Sequence, residues 1–352
     1  MKSLSIVPVL LLVAFFAAST GTGEREQAPV LDYPNAAGDG FSDIVYVGLD
    51  GNIYTVDPDG SNRVPVTAED PDEEAMTPNF SLPTWSPDGE KIAFMGFSTE
   101  RVEADSDDRE LRSTLYVADS GEQRITNAFS SLETSPFYLY WAPDSRRVSF
   151  ASAYNDSDIG LALQVVGLEG SEHDYLTTGR PMYWAWAPDG ESVVAHAGSG
   201  PVGAISVVGF EGSSSSVDRL SQQPSSFHAP AYSPDGSLIA AAVQGPEGQK
   251  RLALFPPAGV PAQTIAELQG FAAFGWSPNG RHIAYIDGSK GPIGGLRGQL
   301  HVVTPEPIPS TVSMQSGSTR IPAGDGVIAF FWSRDGSKLA FFRPVRSTSG
   351  QQ

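Results

Sequence analysis

The sequence predicts an all-β protein folded as a six-bladed β-propeller, and three observations support this prediction. One short phrase occurs six times: an aromatic residue, a turn of the Ser-Pro-Asp-Gly type, and a short apolar strand. The copies lie between 44 and 56 residues apart, which is the length of a four-stranded propeller blade. The 37 glycines and 28 prolines follow no collagen-like period, and they suit many short strands joined by tight turns.

The turn in each copy has a clear local chemistry, as in Ser86-Pro87-Asp88-Gly89. Pro presets φ at the second turn position, Asp or Asn suits the third, and Gly accepts a left-handed backbone at the fourth. The Ser side chain can bond back to the turn backbone. The aromatic residue before each turn is predicted to fill the wedge between adjacent blades, and these residues are Trp85, Trp141, Trp186, Tyr232, Trp276 and Trp332.

Strand counting predicts how the ring closes. Each unit has an inner strand that ends at the aromatic residue, a second strand after the turn, an alternating third strand and a short outer strand. A surplus second-type strand lies at residues 44–47, and the last copy lacks the third and outer strands that residues 52–67 supply. We therefore predict that the N- and C-terminal strands pair in one blade and close a six-bladed ring over residues 43–345. A seven-bladed ring with two incomplete blades is the alternative.

The N-terminus is typical of an export signal. Lys2 is followed by an apolar run at residues 6–18 and by small residues at 17–21. Residues 1–20 are thus predicted to be a signal peptide, residues 21–42 a linker and residues 346–352 a disordered tail. We expect an exported protein in the periplasm, at the cell surface or secreted, without a membrane span in the mature chain. An uncleaved N-terminal anchor is the alternative.

Charge and cysteine content exclude several functions. The formal net charge is −19, so the protein should repel nucleic acid and anionic lipid headgroups. The chain has no cysteine, which excludes thiol catalysis, thiolate metal sites and disulfides. We expect no nucleic-acid partner and a monomeric protein.

The phrase Trp-Ser-Pro-Asp-Gly-x-x-Ile-Ala-Phe at residues 85–94 resembles the propeller repeats of the TolB family. The resemblance extends over about residues 43–344. It implies a TolB-like propeller in an exported protein. The family pattern has an α/β domain before the propeller, and this sequence leaves no room for it. Similar repeats also form gating propellers in prolyl-oligopeptidase-like enzymes, which carry a separate hydrolase domain.

A candidate binding site lies where the inner strands enter the central channel. His228, four residues before Tyr232, is placed at this level by the repeat register. An aromatic rim with one arginine could receive a peptide or a small ligand, although aromatic residues near inner strands also fill cores. The candidate residues are Phe80, Phe137, Tyr138, Arg180, Tyr183, Phe227, His228 and Phe271.

The sequence contains no catalytic constellation. No Gly-x-Ser-x-Gly elbow stands between a strand and a helix, and none of the five histidines form the close pair of a zincin motif. We therefore expect no catalytic residues, no metal and no cofactor. The function favoured is a non-enzymatic scaffold for a protein or peptide partner. The alternatives are a propeller lyase or hydrolase with a polar or metal site in the channel, and a purely structural module.

Overall fold

A computed structural model of the chain shows the predicted propeller repeats as separate antiparallel sheets. The predicted signal peptide, residues 21–39 of the predicted linker and the predicted tail lie outside the described residues. The structure describes residues 40–67, 79–101, 109–154, 160–168, 173–180, 182–198, 202–211, 214–225, 228–245, 247–260, 262–290, 296–305, 318–321 and 324–343.

Five internal sheets have four strands each, and their strands follow one another in sequence order. The first two are β4 (Asn79–Trp85), β5 (Lys91–Arg101), β6 (Arg109–Asp119) and β7 (Arg124–Ser131), then β8 (Thr134–Trp141), β9 (Arg147–Tyr154), β10 (Leu161–Gly167) and β11 (His173–Thr178). The third is β12 (Met182–Trp186), β13 (Ser192–Ala197), β14 (Ala204–Glu211) and β15 (Ser214–Arg219). The last two are β16 (Ala231–Tyr232), β17 (Ile239–Gln244), β18 (Lys250–Phe255) and β19 (Gln263–Leu268), then β20 (Phe271–Trp276), β21 (Ile283–Lys290), β22 (Leu296–Val303) and β23 (Ser318–Arg320).

The first strand of each sheet is the inner strand. First strands of neighbouring sheets contact one another, as β4 does with β8, β12 with β16, and β16 with β20. This arrangement places successive sheets around a common axis, as in a propeller. The prediction of an all-β propeller is confirmed. Within the described chain, no helix has the length and hydropathy needed to cross a membrane.

The turn chemistry is also as predicted. The Ser86 hydroxyl donates to the Asp88 carboxylate and accepts the Lys91 backbone N–H at 2.9 Å. The same pair of bonds holds the turns that begin at Ser233, Ser277 and Ser333. Each serine therefore joins the turn to the start of the following strand, at its first residue, Lys91, or at the residue just before it, as for Leu238, His282 and Lys338.

The core consists of layers between adjacent sheets. On one face of the β12–β15 sheet, Met182 and Trp184 pack against the β8–β11 sheet. On its other face, Val194 and Ile205 pack against the β16–β19 sheet. Because strand side chains alternate between faces, each sheet supplies apolar residues to two layers, and stacking buries both faces.

Two long hairpins extend the ladders beyond the strands of the repeat pattern. Residues 98–101 pair with residues 109–112 between β5 and β6. Residues 288–290 pair with residues 296–298 between β21 and β22. Pairing within these hairpins satisfies the backbone N–H and C=O groups of both arms.

The terminal sheets differ from the predicted closing blade. β1 (Ile44–Val47), β2 (Ile53–Val56) and β3 (Val64–Pro65) form one sheet, and β24 (Ala329–Trp332) and β25 (Leu339–Phe342) form another. We expected β25 to pair with β2, but β1 occupies one edge of β2 and β3 the other. Among the described residues, no ladder joins the two terminal sheets. The surplus strand thus fills the edge that the C-terminal strand would need.

Candidate functional site

The repeat tryptophans fix neighbouring inner strands to each other. Each of three indole N–H groups donates to the carbonyl just before the aromatic residue of the preceding repeat, at 3.0 to 3.2 Å: Trp141 to Thr84, Trp276 to Ala231, and Trp332 to Gly275. These bonds cross between sheets and therefore set the relative position of the inner strands.

Two further repeats reach the preceding sheet through a serine. The Trp186 indole donates to the Ser149 hydroxyl at 2.9 Å, and that hydroxyl donates to the Tyr140 carbonyl at 3.0 Å. Tyr232 has no indole, and its hydroxyl lies 3.1 Å from the Ser192 hydroxyl. The aromatic residue of the motif is thus both a wedge between sheets and a hydrogen-bonding staple.

Two adjacent inner strands carry β-bulges at the same repeat position. Leu82 and Tyr138 each lie three residues before their motif tryptophan, with φ of 54° and 53°. The ladders shift register at both places. A left-handed backbone costs a bulky residue about 1–2 kcal/mol. Such strain is often found where a bulge re-aims a side chain at a functional site.

The bulges turn large side chains towards solvent. Phe137 packs between the β8–β11 and β12–β15 sheets, whereas Leu139 packs on the opposite face against the β4–β7 sheet. Tyr138 is the extra residue between them and is 56% exposed, and Leu82 is 45% exposed. The bulge therefore presents Tyr138 at the surface while its neighbours remain in the core.

Other aromatic residues lie on β8 and on the neighbouring strand β12. Tyr140 is 53% exposed, and its ring meets Trp184 edge-on at 5.3 Å. Burial, with a smaller contribution from Tyr138, raises the pKa of Tyr183 to about 12. The Phe137 and Tyr138 rings are 5.3 Å apart. We call Leu82, Phe137, Tyr138, Tyr140 and Tyr183 the aromatic patch.

Two histidines lie beside the patch between neighbouring sheets. His196 is buried, with Nδ1 3.2 Å from the His228 carbonyl and Nε2 3.2 Å from the Gly198 carbonyl. The Tyr183 and His196 rings are 6.2 Å apart. His228 meets the Phe274 ring edge-on at 4.3 Å, and its Nε2 lies 3.3 Å from the Phe274 carbonyl. These contacts connect the aromatic patch to Phe274 across three sheets.

Both imidazoles favour the neutral form. Burial lowers the pKa of His196 and of His228, and it outweighs the backbone carbonyls that favour the charged form. Each ring is held mainly by backbone groups rather than by a carboxylate. Over the part of the chain that is described, no cluster of three or more potential metal-ligating side chains is present.

The predicted site residues are only partly brought together. Phe137, Tyr138, Tyr183 and His228 lie in or beside the patch. Phe80 is buried among Phe94 and Tyr116, and the bulge before Trp85 exposes Leu82 instead. Arg180 is exposed between β11 and β12. Phe227 and the side chain of Phe271 lie outside the described residues.

Sequence reasoning missed four residues of the site: Leu82, Tyr140, His196 and Phe274. Leu82 and Tyr140 stand at fixed distances before a motif tryptophan, so the repeat register could have found them. His196 contacts the carbonyl of His228, 32 residues later in the chain, and no local pattern signals that contact.

Comparison with solved structures finds propellers of several kinds. TolB from Acinetobacter baumannii is 19% identical with a TM-score of 0.41, over 72% of this chain and 57% of that chain, so the match spans little more than half of that protein. The β-propeller domain of the Trilobed protease from Pyrococcus furiosus is 14% identical with a TM-score of 0.45, over 81% of each chain. Oligogalacturonate lyase from Vibrio parahaemolyticus is 14% identical with a TM-score of 0.44, over 69% of this chain and 70% of that chain.

Comparison with curated proteins gives no significant match. The family comparison is decisive, because the model of the TolB beta propeller domain matches residues 42–324. That range holds all five four-stranded sheets and begins just before β1. The chain therefore belongs to the TolB beta propeller domain family.

Proposed function

We propose that this protein is an exported, non-enzymatic TolB-like propeller that binds a protein or peptide partner through the aromatic patch. The observation that carries the proposal is the pair of bulges that expose Leu82 and Tyr138 on adjacent inner strands. A chain that used these residues only for packing would have no need for a left-handed backbone at two bulky positions.

The chemistry of the patch suits a peptide. Tyrosine offers a large, stiff apolar surface and a polar hydroxyl, and it is enriched among residues that dominate binding energy. Tyr138 and Tyr140 are exposed on either side of buried Leu139 in the sequence, and Tyr183 is half-buried near Tyr138. Exposed tyrosine rings near a half-buried one favour an extended segment with apolar side chains.

The non-enzymatic part of the proposal rests on how the polar groups are used. His196 and His228 contact backbone carbonyls, and their lowered pKa values keep them uncharged near neutral pH. A general base or a metal ligand needs a ring nitrogen directed at substrate or ion. The predicted signal peptide and the acidic, cysteine-free composition support export.

Binding can be tested with peptides selected on the folded protein from a random display library. For a selected peptide we expect Tyr138→Asn to weaken binding about tenfold or more in calorimetry, as for a central contact residue. Asn tolerates the left-handed backbone, so this variant removes the ring and keeps the bulge. The matched control is Val260→Asn, which alters an apolar side chain that is 62% exposed in the connection between β18 and β19.

Equal affinities for Tyr138→Asn and the wild type would remove the patch from the proposal. The enzyme alternative has its own readout, which is metal content by mass spectrometry of the purified protein. A stoichiometric transition metal that His228→Ala eliminates would favour a channel enzyme over a binding scaffold.

A further inference from the structure

The turn in the fifth copy of the repeat phrase differs from the others at one residue. It reads Ser277-Pro278-Asn279-Gly280, whereas the other five copies have Asp at the third position of the turn. It is also the only place in the sequence where Asn directly precedes Gly. An Asn side chain in this context is prone to lose ammonia, because the following glycine has no Cβ to hinder attack by its own backbone nitrogen.

The turn holds the side-chain oxygen of Asn279 with two donors. The Ser277 hydroxyl donates to Oδ1 at 2.8 Å, and the Arg281 backbone N–H donates to it at 3.1 Å. In the first copy of the phrase, the Asp88 carboxylate accepts the same two bonds. These bonds therefore need only an oxygen at this position, and they leave the amide nitrogen of Asn279 for a different contact.

The amide nitrogen of Asn279 contacts the last repeat. Nδ2 donates to the Asp335 carbonyl at 3.0 Å, and a Cβ at Gly336 would lie 2.7 Å from Cγ of Asn279. The turn of the last repeat thus packs directly against the amide group. A carboxylate oxygen in place of Nδ2 would have no hydrogen to donate, and it would repel the carbonyl oxygen of Asp335.

The donors in this turn favour attack on the amide carbon of Asn279. When the backbone nitrogen of Gly280 attacks Cγ, negative charge develops on Oδ1, to which the Ser277 hydroxyl and the Arg281 N–H already donate. The Cγ–Nδ2 bond then breaks, and ammonia leaves with the proton that the attacking nitrogen gives up. Water opens the resulting succinimide at one of its two carbonyl carbons, and the product is aspartate or isoaspartate.

Two contacts oppose this reaction in the folded protein. The Gly280 N–H donates to the Ser277 carbonyl at 2.8 Å, and this bond must open before the nitrogen attacks. The Asp335 carbonyl and Gly336 hold the amide group that would leave. The first contact lies within the turn, whereas the second depends on the position of the last repeat.

We propose that Asn279 is a deamidation site that the docked last repeat restrains, and that its conversion weakens this docking. Among the described residues, the β24–β25 sheet has only two strands, and it is held to the β20–β23 sheet by apolar packing and by the bond from Trp332 to the Gly275 carbonyl. Loss of the bond from Asn279 therefore removes a large share of the contacts between these two sheets. Because ammonia is released into excess water, the conversion proceeds in one direction.

Peptide mass spectrometry of the folded protein, kept near pH 8, measures the conversion as a gain of one dalton. The test variant is Gly336→Ala, whose Cβ displaces the Asn279 amide. Gly190→Ala is the matched control, because both glycines are buried with positive φ but a Cβ at Gly190 lies 3.6 Å from its nearest neighbour, Asp144. We expect Asn279 to convert about fivefold faster in Gly336→Ala than in the wild type, the value of one hydrogen bond, and at the wild-type rate in Gly190→Ala.

A second variant and an unfolded reference complete this test. If circular dichroism shows that Gly336→Ala is unfolded, Trp332→Phe replaces it, because it removes the bond to the Gly275 carbonyl between the same two sheets. The wild-type chain in urea gives the rate of the unrestrained pair. The site is refuted if Asn279 stays intact in the folded variant while it converts in urea. The restraint is refuted if the folded wild type converts as fast as the chain in urea.

Hydrogen exchange of Asn279→Asp measures the effect of conversion on docking. The backbone amides of β24 and β25 should exchange about fivefold faster than in the wild type, because one bond between the sheets is lost. The amides of the β16–β19 sheet should exchange at the wild-type rate and serve as the internal control. Equal exchange of β24 and β25 in both proteins would overturn the link between conversion and docking.

Discussion

At the scale of single residues, the motif tryptophan combines two roles that a sequence pattern alone does not separate. Trp141 is buried at the seam between the β4–β7 and β8–β11 sheets, and its indole donates to the Thr84 carbonyl. Apolar burial fixes the distance between the sheets, and the directional hydrogen bond fixes their rotation. Both roles can be measured separately.

Substitution of Trp141 should distinguish the two contributions. We expect Trp141→Ala to lower the free energy of unfolding by about 3–5 kcal/mol, because it leaves a cavity the size of an indole. Trp141→Phe keeps most of the apolar volume and should cost about 1–2 kcal/mol, mainly through the lost bond to Thr84. Urea unfolding followed by circular dichroism gives both values, and a Trp141→Ala protein as stable as the wild type would refute the packing role.

The histidine pair makes stability sensitive to mild acid. The pKa values of His196 and His228 are lowered by burial, so the unfolded chain binds protons at a higher pH than the folded chain does. Their contribution is complete above the unfolded value of about 6.5 and is lost as the pH falls through the lower folded values. The thermal midpoint should therefore decrease between pH 7.5 and pH 5.

Histidine variants test whether His196 and His228 cause this acid sensitivity, and a third histidine provides the control. In His196→Gln/His228→Gln the decrease over that pH range should be clearly smaller than in the wild type. His282→Gln, whose native imidazole bonds to the Thr304 hydroxyl away from the pair, should behave like the wild type. An unchanged pH profile in the double variant would assign the acid sensitivity to other groups.

At the scale of strands and turns, the sequence predicts the structure that neighbouring residues determine and that occurs in every repeat. The Ser-Pro-Asp-Gly turn is set by neighbouring residues, so six copies give six turns and the strands that follow them. The length of a hairpin has no such local signal: β5 extends to Arg101 because it pairs with β6, and that pairing is a contact between strands. The left-handed backbone at Leu82 and Tyr138 has no local signal, because neither residue favours it.

The side chain of Tyr138 should contribute more to peptide binding than to the stability of the fold. Tyr138→Asn relieves about 1–2 kcal/mol of backbone strain and loses about 0.5–1.5 kcal/mol from the ring contact with Phe137. The free energy of unfolding should therefore stay within about 1 kcal/mol of the wild type, whereas peptide affinity falls. A large loss of stability would identify Tyr138 as a packing residue, and the patch would lose its central member.

At the scale of the whole molecule, the repeats determine the architecture and leave the ends ambiguous. Strand counting placed β25 and β1 in the same second position, and the structure gives the edge of β2 to β1. Strand propensity and the alternation of apolar residues do not distinguish β1 from β25, because both suit the second position equally well. The choice depends on contacts between sheets, and in this structure β1 contacts β4, and Val45 of β1 packs in one cluster with Trp85.

The acidic composition predicts how the whole protein behaves in solution. With a formal net charge of −19 and an isoelectric point near 4.5, copies repel each other at neutral pH, and we expect a monomer in sedimentation equilibrium at pH 7.5. Towards pH 4.5 the charge vanishes, and the exposed Phe331 and Phe342 faces of separate copies should then begin to associate. Phe331→Ser/Phe342→Ser should reduce that association, whereas Val260→Ser should not. A dimer at pH 7.5 in low salt would contradict the charge argument.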